Sequence, residues 1–315
     1  MKKVFKFLFR TLLILFVLLN IITAFHAYKF THFYDVGQVA YKQDADKTSW
    51  DKTKEILFGI NAIKGKNKVP ADTMFEKVYL TTKDRLKLEG WYFKSAIAPK
   101  GTVVMFHGHG NKKSSVMTEA EGFRQLGYNT FLLDFRAHGS SEGNTTSIGF
   151  YETEEVKLAY DFIKDKGEKN IVLWGISMGA AAISKAMYDY PLQPAKVILE
   201  MPYASILQAA EGRIKMMGLP AEPLAALVIF WGGIEHGYWA FNMKPVNFVK
   251  KITQPTLLQW GRLDPRVQQA ETDAIFNNIA ATKKDLVIYE SSGHESLCEK
   301  ENAKWMKSVD QFLNQ

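Results

Sequence analysis

The feature that most limits the fold of this chain is an alternation of short apolar runs with amphipathic segments, which begins near Glu76. Runs such as "GTVVMFHG", "NIVLWG" and "PTLLQWG" are short and nearly all apolar, as expected of strands covered on both faces. Segments with apolar residues every three or four positions, such as 149–166, separate them and predict helices. This alternation continues to the C-terminus and predicts a parallel sheet with helices on both faces.

Two further β-like runs, "KVYLTT" and "LKLEGWYF", precede the alternation and flank the short turn "KDR". This arrangement is typical of an antiparallel hairpin. We therefore expect an α/β fold whose sheet is mostly parallel, doubly wound and about eight strands wide, with antiparallel strands at its N-terminal side.

One segment, residues 204–245, interrupts the alternation and has no strand signal. It is rich in Met, Leu, Trp and Phe, and its apolar run 224–231 is too short to cross a membrane. We predict that it forms a small helical lid over a functional site. A helix that simply packs on the body is the alternative.

The N-terminus begins with basic residues and continues as an apolar run from Thr11 to about Ala27, broken only by Asn20 and His26. Counted from Phe7, with the Arg10 side chain reaching the membrane surface, the run is long enough to cross a bilayer, which takes about 20 residues. A cleaved signal peptide is the alternative, but the cut would follow Ala24 or Ala27 and leave a bulky residue at the third position before it.

These patterns predict three regions: a membrane anchor at 1–29, a connector at 30–75 and a globular domain at 76–315 that includes the lid. The basic flank of the anchor is expected to stay in the cytoplasm, so the domain would lie on the extracytoplasmic side of the cell membrane. The anchor would be a single-pass helix.

The net charge of +7 does not indicate a nucleic-acid partner, because residues 1–30 hold five basic residues and no acidic one. The single cysteine, Cys298, excludes a disulfide within the chain and a cysteine-rich metal site. We expect neither a cofactor nor a metal.

Reactive residue types recur directly after the predicted strands, where open parallel sheets bind their ligands. The motifs are "FHGHG", "LLDFRAHGSSEG", "GISMGA", "LEMPYAS", "WGRLDPRV" and "SSGHESL". In their order and spacing the chain resembles the α/β-hydrolase superfamily, in particular its Bem46-like and serine-aminopeptidase-like hydrolases. The resemblance covers roughly three quarters of the chain and implies a serine hydrolase.

Within this resemblance Ser177 is the expected nucleophile, because Gly175 and Gly179 allow the sharp strand-to-helix turn that exposes a serine hydroxyl. A serine hydroxyl needs an adjacent base, and His294 follows the last strand. Asp264, one strand earlier, is the expected acid that orients the imidazole. Glu200 is the alternative acid, although the family pattern implies a supporting role for it.

Two preorganised donors are needed for the oxyanion of an acyl-transfer reaction. The backbone N–H groups of Met178 and His109 are the predicted pair, with Gly110 as a substitute for His109. His107, Arg136 and His138 are expected to brace their loops rather than to react, and His236 lies in the predicted lid.

The predicted function is hydrolysis of a carboxylic ester, thioester or amide through an acyl-enzyme. The apolar lid and the membrane anchor favour a lipid-like small-molecule acyl substrate. A peptidase or an acyltransferase would use the same residues. A non-catalytic, membrane-tethered binding protein is a further alternative.

Overall fold

A computed structural model describes residues 1–39, 46–69 and 74–315 of the chain. Within these residues, eight strands form the main sheet. They are β1 (Glu76–Thr81), β2 (Lys87–Phe93), β3 (Thr102–Phe106), β4 (Asn129–Leu133), β5 (Ile171–Ile176), β6 (Lys196–Glu200), β7 (Thr256–Gly261) and β8 (Lys284–Tyr289).

The strand order across the sheet is β1-β2-β4-β3-β5-β6-β7-β8. The pairs β1/β2 and β2/β4 are antiparallel, and the remaining pairs are parallel. The predicted fold, a mostly parallel sheet with antiparallel strands at its N-terminal side, is therefore confirmed. The parallel strands β3 to β7 all run in one direction, so their carboxyl ends meet at a single edge of the sheet.

The helices lie on both faces of this sheet, in the lid and at the N-terminus. They are α1 (Lys2–Thr31), α2 (Ser49–Phe58), α3 (Met117–Gln125), α4 (Thr153–Asp165), α5 (Met178–Asp189), α6 (Ile206–Met216), α7 (Leu224–His236), α8 (Pro245–Phe248), α9 (Gln269–Asn278), α10 (Leu297–Lys300) and α11 (Asn302–Leu313). Short 3₁₀ turns occupy Lys113–Val116, Ala240–Asn242 and Val249–Lys251.

The C-terminal helical segment consists of two helices, α10 and α11. The chain leaves helical geometry at Glu301, which has φ −129° and ψ 56°. Its carboxylate accepts hydrogen bonds from the backbone N–H of Ser291 (2.9 Å) and the hydroxyl of Ser292 (2.8 Å). This contact anchors the break next to the loop that carries His294.

Helix α5 occupies the centre of the molecule, because its first ten residues, 178–187, are all buried. Small residues allow this depth, as four of the first five are Gly or Ala. A Cβ on Gly179 would lie 2.2 Å from the carbonyl oxygen of Phe106, at the end of β3. The N-terminus of α5 is thus held against the carboxyl ends of the central strands.

Helix α1 has two parts with different surroundings. Residues 1–18 are exposed, whereas Thr23, Ala27 and Thr31, four residues apart on one face, are buried against the body. Among the described residues, α1 alone is long and apolar enough to cross a membrane. It continues two residues beyond the predicted end of the anchor at residue 29.

The predicted lid contains α6 and α7, and α7 packs along the C-terminal half of α1. The indole N–H of Trp231 donates a hydrogen bond to the side-chain oxygen of Asn20 at 3.1 Å. At Gly232 the two helices are close, because a Cβ there would lie 3.9 Å from the Cβ of Ala27. The lid is therefore packed between the sheet domain and the N-terminal helix.

The predicted connector is docked on the domain. Phe33–Tyr34 and Ala62–Ile63 pair as two short parallel strands. The backbone N–H of Phe33 donates to the carbonyl of Asn144 at 2.7 Å. The side-chain amide of Asn67 donates to the carboxylate of Asp134 at 2.6 Å. Residues 40–45 and 70–73, which also belong to the connector, lie outside the described residues.

Candidate active site

Ser177 is the single residue between the end of β5 and the start of α5, and its backbone has φ 54° and ψ −114°. L-amino acids rarely adopt such values, and the strain costs about 1–3 kcal/mol when the surroundings impose it. The surroundings do so here, because the backbone N–H of Ser177 donates to the carbonyl of Glu200 at 2.8 Å. The turn lifts the hydroxyl out of the sheet edge.

Gly175 and Gly179, on either side of Ser177, are required because any side chain there would clash with the backbone. A Cβ on Gly175 would come within 2.7 Å of the carbonyl carbon of Gly179. A Cβ on Gly179 would meet the carbonyl oxygens of Phe106 and His107. The G-x-S-x-G pattern therefore reflects two close backbone contacts at this turn.

The structure brings Ser177, His294 and Asp264 together in the predicted order. His294 Nε2 lies 2.9 Å from Ser177 Oγ, and His294 Nδ1 lies 2.6 Å from Asp264 Oδ2. The carboxylate accepts a hydrogen bond from Nδ1–H, so Nε2 is the nitrogen left to accept the hydroxyl proton. Geometry thus satisfies both hydrogen bonds that nucleophile activation needs.

Asp264 is held in place by the backbone of its own loop. Its Oδ1 accepts hydrogen bonds from the N–H groups of Arg266 (2.7 Å) and Val267 (2.9 Å), and the residue is buried. Because one carboxylate oxygen is occupied in this way, the other is directed at His294. Asp264 is consequently a rigid support for the imidazole.

Glu200, the alternative acid, points away from His294 into the core. Its Oε1 accepts hydrogen bonds from Trp174 (2.9 Å), Gln259 (2.9 Å) and Trp305 (2.7 Å). Burial, reinforced by the nearby Glu119, raises the pKa of Glu200 to about 8. Through these hydrogen bonds Glu200 links strands of the sheet to helix α11.

The turn after β3 places a second backbone N–H beside Ser177. A Cβ on Gly108 would lie 3.4 Å from the Cβ of Ser177, so the two turns are in contact. Neither His109 N–H nor Met178 N–H donates to an acceptor in the described part of the chain. The N–H of Gly110, the predicted substitute, already donates to His138 Nε2 at 3.0 Å.

Of the neighbouring histidines, His107 and His138 are buried and His109 is half-buried. Burial lowers the pKa of His107 to about 3, and its Nε2 accepts the backbone N–H of Phe135 at 3.2 Å. Burial and the charge of Arg213 hold the pKa of His109 well below its usual value. His138 bridges Gly110 to the carbonyl of Arg136, 2.7 Å from its Nδ1. These positions agree with bracing roles for His107 and His138.

Ser177 and His294 open into a pocket that lies beneath the lid. Its walls are mainly apolar and come from the lid as well as from the body. The lid residues are Ile206, Ala209, Ala210, Arg213, Val228, Ile229, Gly232, His236, Tyr238 and Ala240.

Sequence reasoning missed a wall of this pocket that comes from α1. Ala27, Phe30 and Thr31 line it, and the carbonyl of Phe30 lies 3.0 Å from His109 Nε2. The ring of Phe30 also stacks on that of His109, with centroids 4.4 Å apart. Asn20 was the available signal, since a polar residue in an apolar membrane segment usually has a partner on another helix.

One group of side chains has the composition of a metal site. Possible ligand atoms of His32, Glu235 and His236 lie within 4.8 Å of one another in the part of the chain that the structure describes. His32 Nδ1 is already 2.9 Å from the carbonyl of Tyr28. The group lies where α1 meets the end of α7, and the chemistry at Ser177 does not involve it.

Comparison with known proteins agrees with the fold. Residues 97–228 match the serine aminopeptidase, S33 family. The uncharacterized protein YqkD of Bacillus subtilis is 27% identical over 217 residues, which cover 68% of this chain and 71% of YqkD. A Bacillus subtilis protein named carboxylesterase is 22% identical over 67% of this chain and 91% of its own length.

Among solved structures, an esterase from Pyrococcus furiosus superposes with a TM-score of 0.66 at 24% identity. The superposition covers 79% of this chain and 95% of the esterase. Together with the strand order and the turn at Ser177, these similarities define the fold. The chain has the α/β-hydrolase fold, and over residues 97–228 it is similar to the serine aminopeptidase, S33 family.

Proposed function

We propose that the chain is a membrane-anchored serine hydrolase that cleaves a carboxylic ester of a lipid-like acyl group. The observation that carries this proposal is the hydrogen-bonded series Ser177 Oγ, His294 Nε2, His294 Nδ1 and Asp264 Oδ2, with distances of 2.9 and 2.6 Å. Ser177 and His294 line an apolar pocket. The similarity to proteins named esterase and carboxylesterase supports ester hydrolysis as the reaction.

The proposed reaction has two halves. In the first, His294 accepts the hydroxyl proton of Ser177 while Oγ attacks the ester carbonyl, and the N–H groups of His109 and Met178 stabilise the oxyanion. The ester bond breaks, and the alcohol leaves with the proton from His294. In the second half, water attacks the acyl-serine with His294 as base, which releases the carboxylic acid and restores Ser177.

A lipid-like substrate is supported by the surroundings of the pocket. An open groove beside it is bounded by the end of α1, by residues 55–63 and by α6. Exposed apolar side chains surround this groove and the lid, namely Ile56, Ile60, Met216, Met217 and Ile234. With α1 in a bilayer, they would face the membrane surface, from which an acyl chain could reach Ser177.

Labelling with a fluorophosphonate probe tests the proposal. The full-length protein in detergent should label, and Ser177→Ala should not. Ser184→Ala is the matched control, because Ser184 lies on the same α5 but is buried and hydrogen-bonded to Ala180. Equal labelling of the Ser177→Ala protein, or no labelling of the native one, would refute the assignment of the nucleophile.

A second pair of variants tests the acid. Asp264→Asn removes the acceptor that fixes the tautomer of His294, so kcat on a p-nitrophenyl ester should fall about 10³–10⁴-fold. Glu200→Gln keeps its side-chain carbonyl for the neighbouring N–H donors and should stay within a few-fold of wild type. The reverse ranking would assign the acid to Glu200.

An acyltransferase or a peptidase would use the same residues, and a non-catalytic binding protein would use none of them. Product analysis with a competing alcohol separates hydrolysis from transfer. A panel of esters and aminoacyl amides separates esterase from peptidase. A native protein that neither labels nor cleaves any of these would favour the binding protein.

A further inference from the structure

Two arginines line the pocket of Ser177 without an acidic partner. Arg213 lies on α6 and Arg266 in the loop that follows β7, and both side chains contact the same cavity as Ser177 and His294. Neither guanidinium forms an ion pair or a hydrogen bond with any residue in the described ranges. The usual neutralising carboxylate is therefore missing from this part of the site.

More deeply buried cations elsewhere in the domain do have such carboxylates. The Lys113 ammonium lies 2.9 Å from Glu89 and is also paired with Asp134. The Arg136 guanidinium is paired with Glu155. Burying a cation without a partner is costly, so an unpaired pair of arginines in a pocket indicates a ligand that supplies the negative charge.

The two arginines are close enough to repel each other. Burial and the charge of Arg266 lower the pKa of Arg213 to about 10, so Arg213 remains charged at neutral pH. The Arg213 guanidinium is held in place by α1, because its central carbon lies 4.5 Å from the centre of the Phe30 ring. This contact orients the guanidinium at little cost in side-chain freedom.

The arginines lie at the border between two cavities. Arg213 and Arg266, with Phe30 and His109, line both the enclosed pocket and the open groove next to it. The apolar interior of the pocket lies on one side of them and solvent on the other. A ligand with one apolar end and one anionic end could place its apolar end inside and its charge at this border.

Building on the proposed esterase function, we infer that Arg213 and Arg266 form a phosphate subsite for the alcohol part of the substrate. The substrate class is then a single-chain acyl ester whose alcohol bears a phosphate, of the monoacylglycerol phosphate type. Two guanidinium groups match a phosphate in charge, since a phosphate monoester carries about −1.5 to −2 at pH 7. They also match it in geometry, because each can donate two N–H bonds to phosphate oxygens.

The reaction on this substrate is the ester hydrolysis already written, and the phosphate stays on the departing alcohol. The acyl chain occupies the apolar pocket near Val228 and Ile229. The ester carbonyl lies at Ser177. The phosphate lies at the border with the groove, through which the alcohol phosphate leaves after the first half of the reaction.

The test measures kcat/KM of the full-length protein in detergent on three esters with the same acyl chain: a monoacylglycerol phosphate, the neutral monoacylglycerol and a neutral p-nitrophenyl ester. The phosphate ester should exceed the monoacylglycerol at least tenfold. Arg213→Gln and Arg266→Gln should each lose about 10–100-fold on the phosphate ester, the range expected for a charge-assisted contact. On the p-nitrophenyl ester both should lose several-fold less than on the phosphate ester.

Two further variants sharpen the comparison. Arg213→Lys keeps the positive charge but not the paired N–H donors of a guanidinium. Its kcat/KM on the phosphate ester should therefore lie between those of wild type and Arg213→Gln. Arg262→Gln is the matched control, because Arg262 is exposed, is paired with Glu290 and does not line the pocket. It should leave all three rates unchanged.

A wild-type protein that cleaves the p-nitrophenyl ester but shows no preference for the phosphate ester overturns the subsite and leaves the esterase intact. Equal losses on all three esters in the arginine variants also overturn it. The same rate is also measured on an ester that carries a carboxylate in place of the phosphate. A higher rate on that substrate overturns the assignment to phosphate.

A binding measurement makes the inference independent of turnover. The Ser177→Ala protein should bind the monoacylglycerol phosphate at least tenfold more tightly than the neutral monoacylglycerol, and adding Arg213→Gln should abolish that difference. The same measurement with glycerol 3-phosphate tests whether the phosphate is bound without an acyl chain. Equal affinities for the phosphate and neutral esters contradict the subsite even when catalysis is absent.

Discussion

Ser177 illustrates how a single residue can be fixed by contacts that have nothing to do with its side chain. Its strained backbone is imposed by the hydrogen bond to the Glu200 carbonyl and by the two close glycines. The same strand end therefore positions the nucleophile through the main chain of Glu200 and stabilises the core through its side chain. The two roles of Glu200 can be separated by experiment.

The side chain of Glu200 should make stability depend on pH. Burial raises its folded-state pKa to about 8, whereas an unfolded glutamate titrates near 4.5. The folded state then binds more protons between these values, so this stabilising contribution is complete below about pH 4.5 and is lost as the pH rises through 8. Glu200→Gln should remove it, and its unfolding midpoint should fall less than that of wild type between pH 5 and 9.

Chemical denaturation at several pH values measures this difference. Glu222→Gln, a substitution at an exposed position, is the matched control. Its unfolding midpoint should change with pH in the same way as that of wild type. Parallel curves for the Glu200→Gln protein would show that the carboxyl group is ionised in the fold and held by its three N–H donors.

At the scale of elements, the unusual feature is that α1 serves both as the candidate membrane span and as a wall of the pocket. Its first 18 residues are exposed, whereas its last turns are packed against α7 and the turn of His109. A helix used only as a tether would not need this second part. The C-terminal turns of α1 should consequently influence which acyl chains fit.

Ala27→Leu tests this influence. Ala27 lines the pocket, so three added carbons would occupy space that a long acyl chain needs. Overpacking of this kind costs about 1–3 kcal/mol, so kcat/KM on a dodecanoyl ester should fall about 5–150-fold. The butanoyl ester should be cleaved at nearly the wild-type rate.

Ala24→Leu is the matched control one turn earlier on the same helix, because Ala24 lines an outer groove between α1 and α7 rather than the pocket. It should leave the ratio of the two rates unchanged. If both variants change the ratio equally, the effect comes from the packing of α1 and not from the pocket wall.

At the scale of the whole molecule, the contacts of α1 predict that the N-terminal segment is retained. Removal at either candidate cleavage site, after Ala24 or Ala27, would detach most of α1 from α7 and expose the apolar side of the lid. We expect an intact mass that includes residues 1–31 and a protein that stays with the membrane after carbonate extraction. A mature chain starting near residue 25 or 28 would contradict this expectation.

Much of the sheet domain could be predicted from local patterns. Strands such as β3 and β5 are short apolar runs, and the residues that follow them, including Ser177 and Asp264, reach the same sheet edge because the strands are parallel. The pocket wall from α1 could not be predicted in this way. Asn20 and Trp231 are 211 positions apart, and no local pattern records their contact.

The role of Arg213 could not be predicted from the sequence for a different reason. On α6 it stands among polar and charged neighbours, which reads as a solvated helix face. Only the three-dimensional arrangement places it beside Arg266 and Phe30, away from any carboxylate in the described chain. A sequence shows which residues carry a charge, but it does not show which of them lack an oppositely charged partner in the folded protein.

The contact between Asn20 and Trp231 also bears on the order in which the molecule is assembled. Helix α1 leaves the ribosome before any strand of the sheet, and the lid helix follows more than 190 residues later. Closing so long a loop adds little entropy, about 0.6 kcal/mol for each doubling of its length. The pocket is thus finished only when a newly folded lid meets a helix that was synthesised much earlier, so a nascent chain that stalls before the lid holds no complete pocket.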